Sequence, residues 1–298
     1  MQFPAETPRS QYPGSGTRLA LAALLAGAFL VPGGDAVARS FQPDLGAFLV
    51  TCLPGTRNCD QMDGAGFEDF AGQLASAVMP RFPGPIGSLG GQGFEVAYTV
   101  GLSELDRGRD YFNADAVTGR PGVFSDTGHV MTVGQLQVRK GLPASFRLGG
   151  SLTQVFNSSL WDVGLQLAYT PLEGIHNAPD LGIELQGGTV LGHGDLIVVH
   201  AGAALILSKS FGVAGLFTLA PYGGYQFVYV SASTHLTTGY LMDQTTPTLF
   251  AFDPRNIFLH RLVFGLESVA SWVVVGAEMS IQVPTARRTY AFKLGARF

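Results

Sequence analysis

The sequence closes on Thr289-Tyr290-Ala291-Phe292-Lys293-Leu294-Gly295-Ala296-Arg297-Phe298. Alternate positions give one face of Tyr290, Phe292, Leu294, Ala296 and Phe298, and another of Thr289, Ala291, Lys293, Gly295 and Arg297. Successive side chains of a strand point to opposite sides, so this segment is apolar on one side and polar or small on the other. A terminal Phe gains little at a frayed end in water, but at a membrane interface it can close a wall.

The segment resembles the C-terminal signature of bacterial outer-membrane β-barrel proteins, a last strand of alternating apolar residues ending in Phe. The resemblance is specific as to architecture and carries no activity. It implies an exported chain in a Gram-negative-type cell outer membrane, in contact with lipid and lipopolysaccharide. It also implies an assembly machinery that reads Tyr290, Phe292, Leu294 and Phe298.

Composition fits such a wall. The 298 residues carry a net charge of −4, only 13% are charged, and 40 are Gly. Charge is about half, and Gly about twice, the usual share of a soluble domain. No apolar run reaches the roughly 18–20 residues of a transmembrane helix. No basic stripe points to nucleic acid.

Residues 1–38 read as a secretory signal. Arg9 and Arg18 precede an apolar run, Leu19–Val31, and Ala36-Val37-Ala38 offers a cleavage site. Residues 39–92 form an N-terminal periplasmic or plug segment. In it Cys52 and Cys59 flank Pro54-Gly55, which in an oxidising compartment reads as a small disulfide loop. Leu49-Val50-Thr51-Cys52 is too far from the apolar run to be a lipidation site. Phe67, Phe70, Leu74 and Val78 recur with helical spacing across Gly66–Met79, with Glu68 and Asp69 in the first turn and Pro80 ending it. This helix packs on the barrel rim or plugs the lumen, and a narrow barrel favours the rim. Pro80–Gly93 is a linker whose glycines lack the flanking strand and helix of a phosphate loop.

Residues 93–298 carry ten segments of period two: Gly93–Ser103, His129–Gly141, Ser145–Phe156, Leu160–Thr170, Asp180–Leu191, Asp195–Ser208, Ala214–Ser233, Ile257–Ser268, Trp272–Val283 and the closing strand. The fold class is all-β, a closed antiparallel transmembrane barrel of about ten strands, with eight to twelve open. Aromatics recur eight to ten residues apart on the apolar faces, at Phe146 and Phe156, Trp161 and Tyr169, and Tyr290 and Phe298. That matches two interfacial girdles. The connections Glu104–Gly128, Asn157–Ser159, Gly192–Gly194, Thr234–Asn256 and Pro284–Arg288 then face outward, and the two longest are among them. Pro221 marks a bulge or a break in the seventh strand. A break would raise the count, and a strand at Leu45–Thr51 would restore an even number.

The polar faces line the lumen with Glu95, Arg139, Arg147, Asp162, Glu184, His200, Arg261, Glu267, Glu278, Lys293 and Arg297. Both signs occur on neighbouring strands, so these groups pair or are hydrated. A salt-bridged, filled interior and a weakly selective pore for small solutes both follow. The outer loops 104–128 and 234–256 offer a third role, a surface-binding scaffold. Barrel proteases of the omptin type resemble the chain in strand number and use Asp and His at the outer rim. The rim candidates here are Asp126, His129, His235, Asp243, Asp253 and His260, and their spacing matches no catalytic motif. Asn157-Ser158-Ser159 reads as a tight hairpin. His193 and His200 lack metal-ligand partners, and no cofactor or metal is implied.

Overall fold

A computed structural model describes residues 41–50, 61–79, 81, 84–114, 122–125, 128–175, 178–235, 237–239 and 248–298. The signal segment, Cys52 with Cys59, and the rim candidates Asp126 and Asp243 lie outside the described residues.

Ten long strands form one closed antiparallel barrel: β1 (Phe94–Glu104), β2 (Val130–Gly141), β3 (Phe146–Val155), β4 (Trp161–Leu172), β5 (Asp180–Leu191), β6 (Leu196–Ser208), β7 (Phe217–Thr234), β8 (Arg255–Ala270), β9 (Val273–Val283) and β10 (Arg288–Arg297). Each pairs with the next in sequence. β10 returns to β1, with Phe292 opposite Val100 and Arg297 opposite Glu95, and closes the sheet. Closure removes the unpaired edges that an open sheet of this size would expose. No helix among the described residues is long and apolar enough to cross a membrane.

The period-two pattern sets the faces. Leu165, Leu185, Phe264, Phe292 and Leu294 stand exposed on the outside, while Thr289, Ala291 and Lys293 of β10 point in and are buried. Antiparallel alternation collects the two long connections, after β1 and after β7, at one mouth. The opposite mouth carries the shorter turns.

β7 is a single strand through Pro221. Its ladder to β8 runs on past the proline, with Pro221 opposite Leu266. Its ladder to β6 begins only at Tyr222. The Pro221 carbonyl accepts from Lys209 N–H on that same side, and the absent proline N–H falls in the gap between the ladder to β6 and the short pairing that resumes with Leu219 opposite Phe211. Of the segment Leu45–Thr51, the described residues 45–50 supply no barrel strand. Leu45–Phe48 is a 3-10 turn, and Leu49–Val50 pairs only with Gln61–Met62.

The helix α1 (Gly64–Val78) lies inside the barrel, not on its rim. It begins where the Asp63 carboxylate accepts from Gly66 N–H at 2.7 Å, an N-cap. It stops at Met79, which turns extended before Pro80, as a residue preceding proline does. α1 touches β1, β2, β3, β6, β7 and β8. Phe67, Phe70, Ala71, Leu74, Ala75 and Val78 form one buried apolar stripe, and Gly72, Gln73 and Ala77, which lie off that stripe, are buried as well. The stripe meets Met131, Val133, Val155, Val190, Val198, Val228, Val230 and Leu259, inward-facing residues of the wall toward the long-loop mouth.

Burial of each large side chain on α1 contributes about 1.5–3 kcal/mol. Leu74→Ala should therefore loosen α1 by about 2–5 kcal/mol. Hydrogen-exchange mass spectrometry should show residues 64–78 exchanging faster while the barrel strands keep their protection; unchanged exchange in α1 would show that this packing does not hold it.

Candidate functional site

The lumen is the site, and the chain itself occupies it. Its two halves differ in chemistry. Toward the long-loop mouth the inward wall is apolar and holds α1. Toward the short-turn mouth it is charged and holds the linker that leads from α1 to β1.

The charged half is built on ion pairs that reach over an intervening strand. Lys293 on β10 donates to Glu267 on β8 at 2.6 Å. Between them on β9 stands Gly276, opposite both, with no side chain to separate them. Arg147 on β3 reaches Glu184 on β5 at 2.9 Å, and the residue between them is Ala168. His200 on β6 meets Asp162 on β4 at 2.7 Å, its ring lying where a Cβ on Gly188 of β5 would come within 2.8 Å. Glu95 gathers Arg139 at 3.4 Å, Lys293 at 2.9 Å and Arg297 at 2.5 Å, and Arg297 also reaches Glu267 at 2.7 Å. Glu278 accepts from the Tyr222 hydroxyl at 3.0 Å. Of the eleven residues read from the sequence as lumen-lining, ten are buried and Arg297 is part-exposed. Charges this buried are tolerated only when paired.

The linker is seated on this wall. Arg147 donates to the carbonyls of Pro85 and Gly87 at 3.1 and 3.4 Å. Thr170 donates to Ile86 O at 2.7 Å, and Ile86 N–H donates to the Ser208 hydroxyl at 3.3 Å. Ser88 N–H donates to Glu173 at 2.6 Å. The Ile86 side chain is fully buried with Ala168, Ala204, Ile206, Tyr222 and Val263. It fits against Gly182, where a Cβ would come within 2.2 Å of it. Gly84, at φ +151°, passes beside Glu267, Arg139 and Lys293 in a conformation that side chains disfavour.

At the junction of the halves, Arg261 donates to the Ser76 carbonyl and, at 2.6 Å, to its hydroxyl. Arg81 donates to Ala77 O at 2.9 Å and to Ser103 at 2.8 Å. Both cations thus face the C-terminal carbonyls of α1, the negative end of its dipole.

Described residues of both long loops pack onto α1 at the mouth. Phe252, from the connection after β7, stacks on Phe67 with centroids 4.4 Å apart. Tyr111, from the connection after β1, donates to Asp69 at 2.7 Å, and Arg287 and Arg109 reach the same carboxylate at 3.0 and 3.3 Å. Gln73 accepts from Asp106 N–H at 2.9 Å. The residues before α1 lie at this mouth too. Phe41 N–H donates to Asn157 O at 3.1 Å, Gln42 accepts from Ser159, and Asp44 N–H donates to Val123 O at 2.8 Å.

The four described rim candidates do not converge. His260 faces outward and is hydrogen-bonded to Tyr225, His235 bonds Gly194 O, and His129 and Asp253 are exposed. Among the described residues no group of three or more His, Cys, Asp or Glu is placed to hold a metal ion. Residue spacing did not single out the plug's partners, namely Arg81, Tyr111, Thr170, Ser208, Tyr222 and Arg287. The apolar inward residues at the long-loop end did leave a signal. Stretches such as Phe227-Val228-Tyr229-Val230 are apolar on both faces, which a water-filled lumen would not require.

No family model matches the sequence, and no curated protein matches it. Solved barrels do. The N-terminal β-barrel domain of Pseudomonas aeruginosa OprF is 8% identical over 70% of this chain and 98% of that one, with a TM-score of 0.30. The KdgM porin is 8% identical over 68% and 99%, with 0.32. The beta domain of the Bordetella autotransporter BrkA is 13% identical over 70% and 99%, with 0.34. At these identities and scores the chain's role is read from its own interior.

The Asp69 clamp is pH-sensitive. Burial by itself raises its carboxyl, but the Tyr111 hydroxyl, Arg287 and the charge of Arg109 outweigh burial and hold it below the ordinary 3.8. Burial, then the hydrogen bond to Asp69, pushes the Tyr111 phenol far above its usual range, so it stays a donor. A depressed acid stabilises fully above its unfolded value and loses that contribution as pH falls through the folded one. Protection of residues 105–114 against hydrogen exchange, corrected for intrinsic rate, should hold at pH 5 and collapse below about 3.8. Asp69→Asn should lower that protection roughly tenfold at pH 7 and remove the acid step.

Proposed function

We propose that this chain is an integral outer-membrane β-barrel, closed at rest by its own N-terminal segment, that acts as a surface scaffold. An apolar exterior around an interior that is half apolar, half charged and occupied by the chain itself supports the membrane reading, and the clustering of both long connections at one mouth supports placing that mouth outside. The final strand would serve assembly through Tyr290, Phe292, Leu294 and Phe298, and the wall would contact lipid and lipopolysaccharide. One observation carries the closed state: α1 and residues 84–88 fill the two halves of the lumen and bond to the wall in each. A small pore for solutes is the second reading. It is favoured by the charged lower lumen and requires the plug to leave.

The same geometry supports a direction for the N-terminal segment. Phe41–Phe48 sits at the long-loop mouth, while β1 starts at the other mouth beside Phe298. α1 and residues 84–88 lie in the lumen between them, and on this reading the segment before α1 is presented outside rather than held in the periplasm.

In planar bilayers the mature chain should be silent, and a chain lacking residues 39–92 should conduct. Steady conductance from the intact chain would return the open pore to first place. With Cys52 and Cys59 replaced by Ser, Asp44→Cys should react with an impermeant maleimide on intact cells, and Leu216→Cys at a short-turn tip should not. The reverse pattern would place the N-terminal segment inside.

A further inference from the structure

α1 does not meet the wall equally on all sides. Between its first turns, the start of β8, the end of β9 and the Pro284–Arg287 turn lies a crevice of about 350 Å³. That volume is at the lower end of small-molecule sites.

Its floor is apolar: Ile257 and Leu259 face Gly72, where a side chain would reach ordinary contact with both at 3.5 and 3.6 Å. Its polar groups are mostly acceptors. Glu68 lines the crevice, and no described residue hydrogen-bonds or ion-pairs with its carboxylate, whereas the adjacent Asp69 is surrounded by donors. Gln282, only 6% exposed, also lines it, and its side-chain oxygen has no hydrogen-bond partner in the chain. A buried amide oxygen left unpaired is costly. Arg287 is committed to Asp69 and Asp106 at 3.0 and 3.6 Å, with its Nε remaining as one donor. The lining thus holds two carboxylates, Glu68 and Asp69, against one guanidinium, Arg287.

We propose that this crevice binds a small organic cation, a primary ammonium on a short apolar body. The ammonium donates to Glu68 and to the Gln282 side-chain oxygen, and the body lies on Gly72, Ile257 and Leu259. One wall of the crevice is the plug and the other is the barrel, so the bound cation ties α1 to β8 and β9 and favours the seated plug. The proposal rests on the plugged reading only because α1 forms that wall.

The test uses the refolded mature chain in detergent, titrated calorimetrically with phenethylammonium, with 2-phenylethanol and phenylacetate as neutral and anionic probes of similar shape. Phenethylammonium should bind saturably, the alcohol at least tenfold more weakly, and the carboxylate not measurably. Glu68→Gln and Gln282→Leu should each weaken the ammonium roughly tenfold, since a hydrogen bond to a charged group is lost. Gly72→Leu should fill the crevice and abolish binding. Heat-modifiable mobility checks that each variant is folded; if Gly72→Leu fails to fold, the half-buried Glu68 carries the test. Equal, non-saturable uptake of all three probes, or wild-type affinity in folded Glu68→Gln, overturns the site. Such a result in a chain that remains non-conducting in bilayers leaves the plug standing.

Discussion

Closing a ten-stranded sheet creates an inside, and everything else in this molecule answers to what fills it. Inward side chains cannot stay charged in a narrow cavity without partners, and a wide cavity cannot stay apolar without a solid core. This barrel solves both problems with one piece of chain. α1 supplies a core for the half whose wall is apolar, and the linker supplies carbonyls and amides for the half whose wall is charged. The two halves meet at the C-terminal end of the helix, where Arg81 and Arg261 take its free carbonyls.

The charged half depends on small residues as much as on charged ones. Lys293 and Glu267 meet over Gly276, and Arg147 and Glu184 meet over Ala168. Larger side chains at those inward positions would separate the ions and leave each buried alone. The strands are therefore locked in threes, and register is fixed by more than the backbone ladder. Glycine enrichment, which as composition suggests only a barrel, here marks where ion pairs cross over a strand and where the linker, at Gly182 and Gly84, comes close to the wall.

Much of the wall could be read directly. Alternation at Phe292, Lys293 and Leu294 states which side chain faces out, because a strand has only two faces. The position of α1 could not be read the same way. Phe67, Phe70, Leu74 and Val78 suit a helix on a rim as well as one in a lumen, and only the small residues Gly72 and Ala77, off that stripe, are compatible with packing on more than one side. Pro221 was ambiguous for a related reason: a proline's tolerance depends on whether its strand has a neighbour at that residue, and here β6 has already ended.

By itself the sequence determined the barrel, a count of about ten strands with eight to twelve left open, and the identity of the inward charges, since these follow from local alternation and from turns between apolar stretches. Only the tertiary structure decided who partners whom in the lumen, that the chain plugs itself, and which mouth the N-terminal segment reaches. Those contacts join residues as far apart as Ser76 and Arg261, or Asp69 and Arg287, and they exist only once closure brings the strands around a common axis.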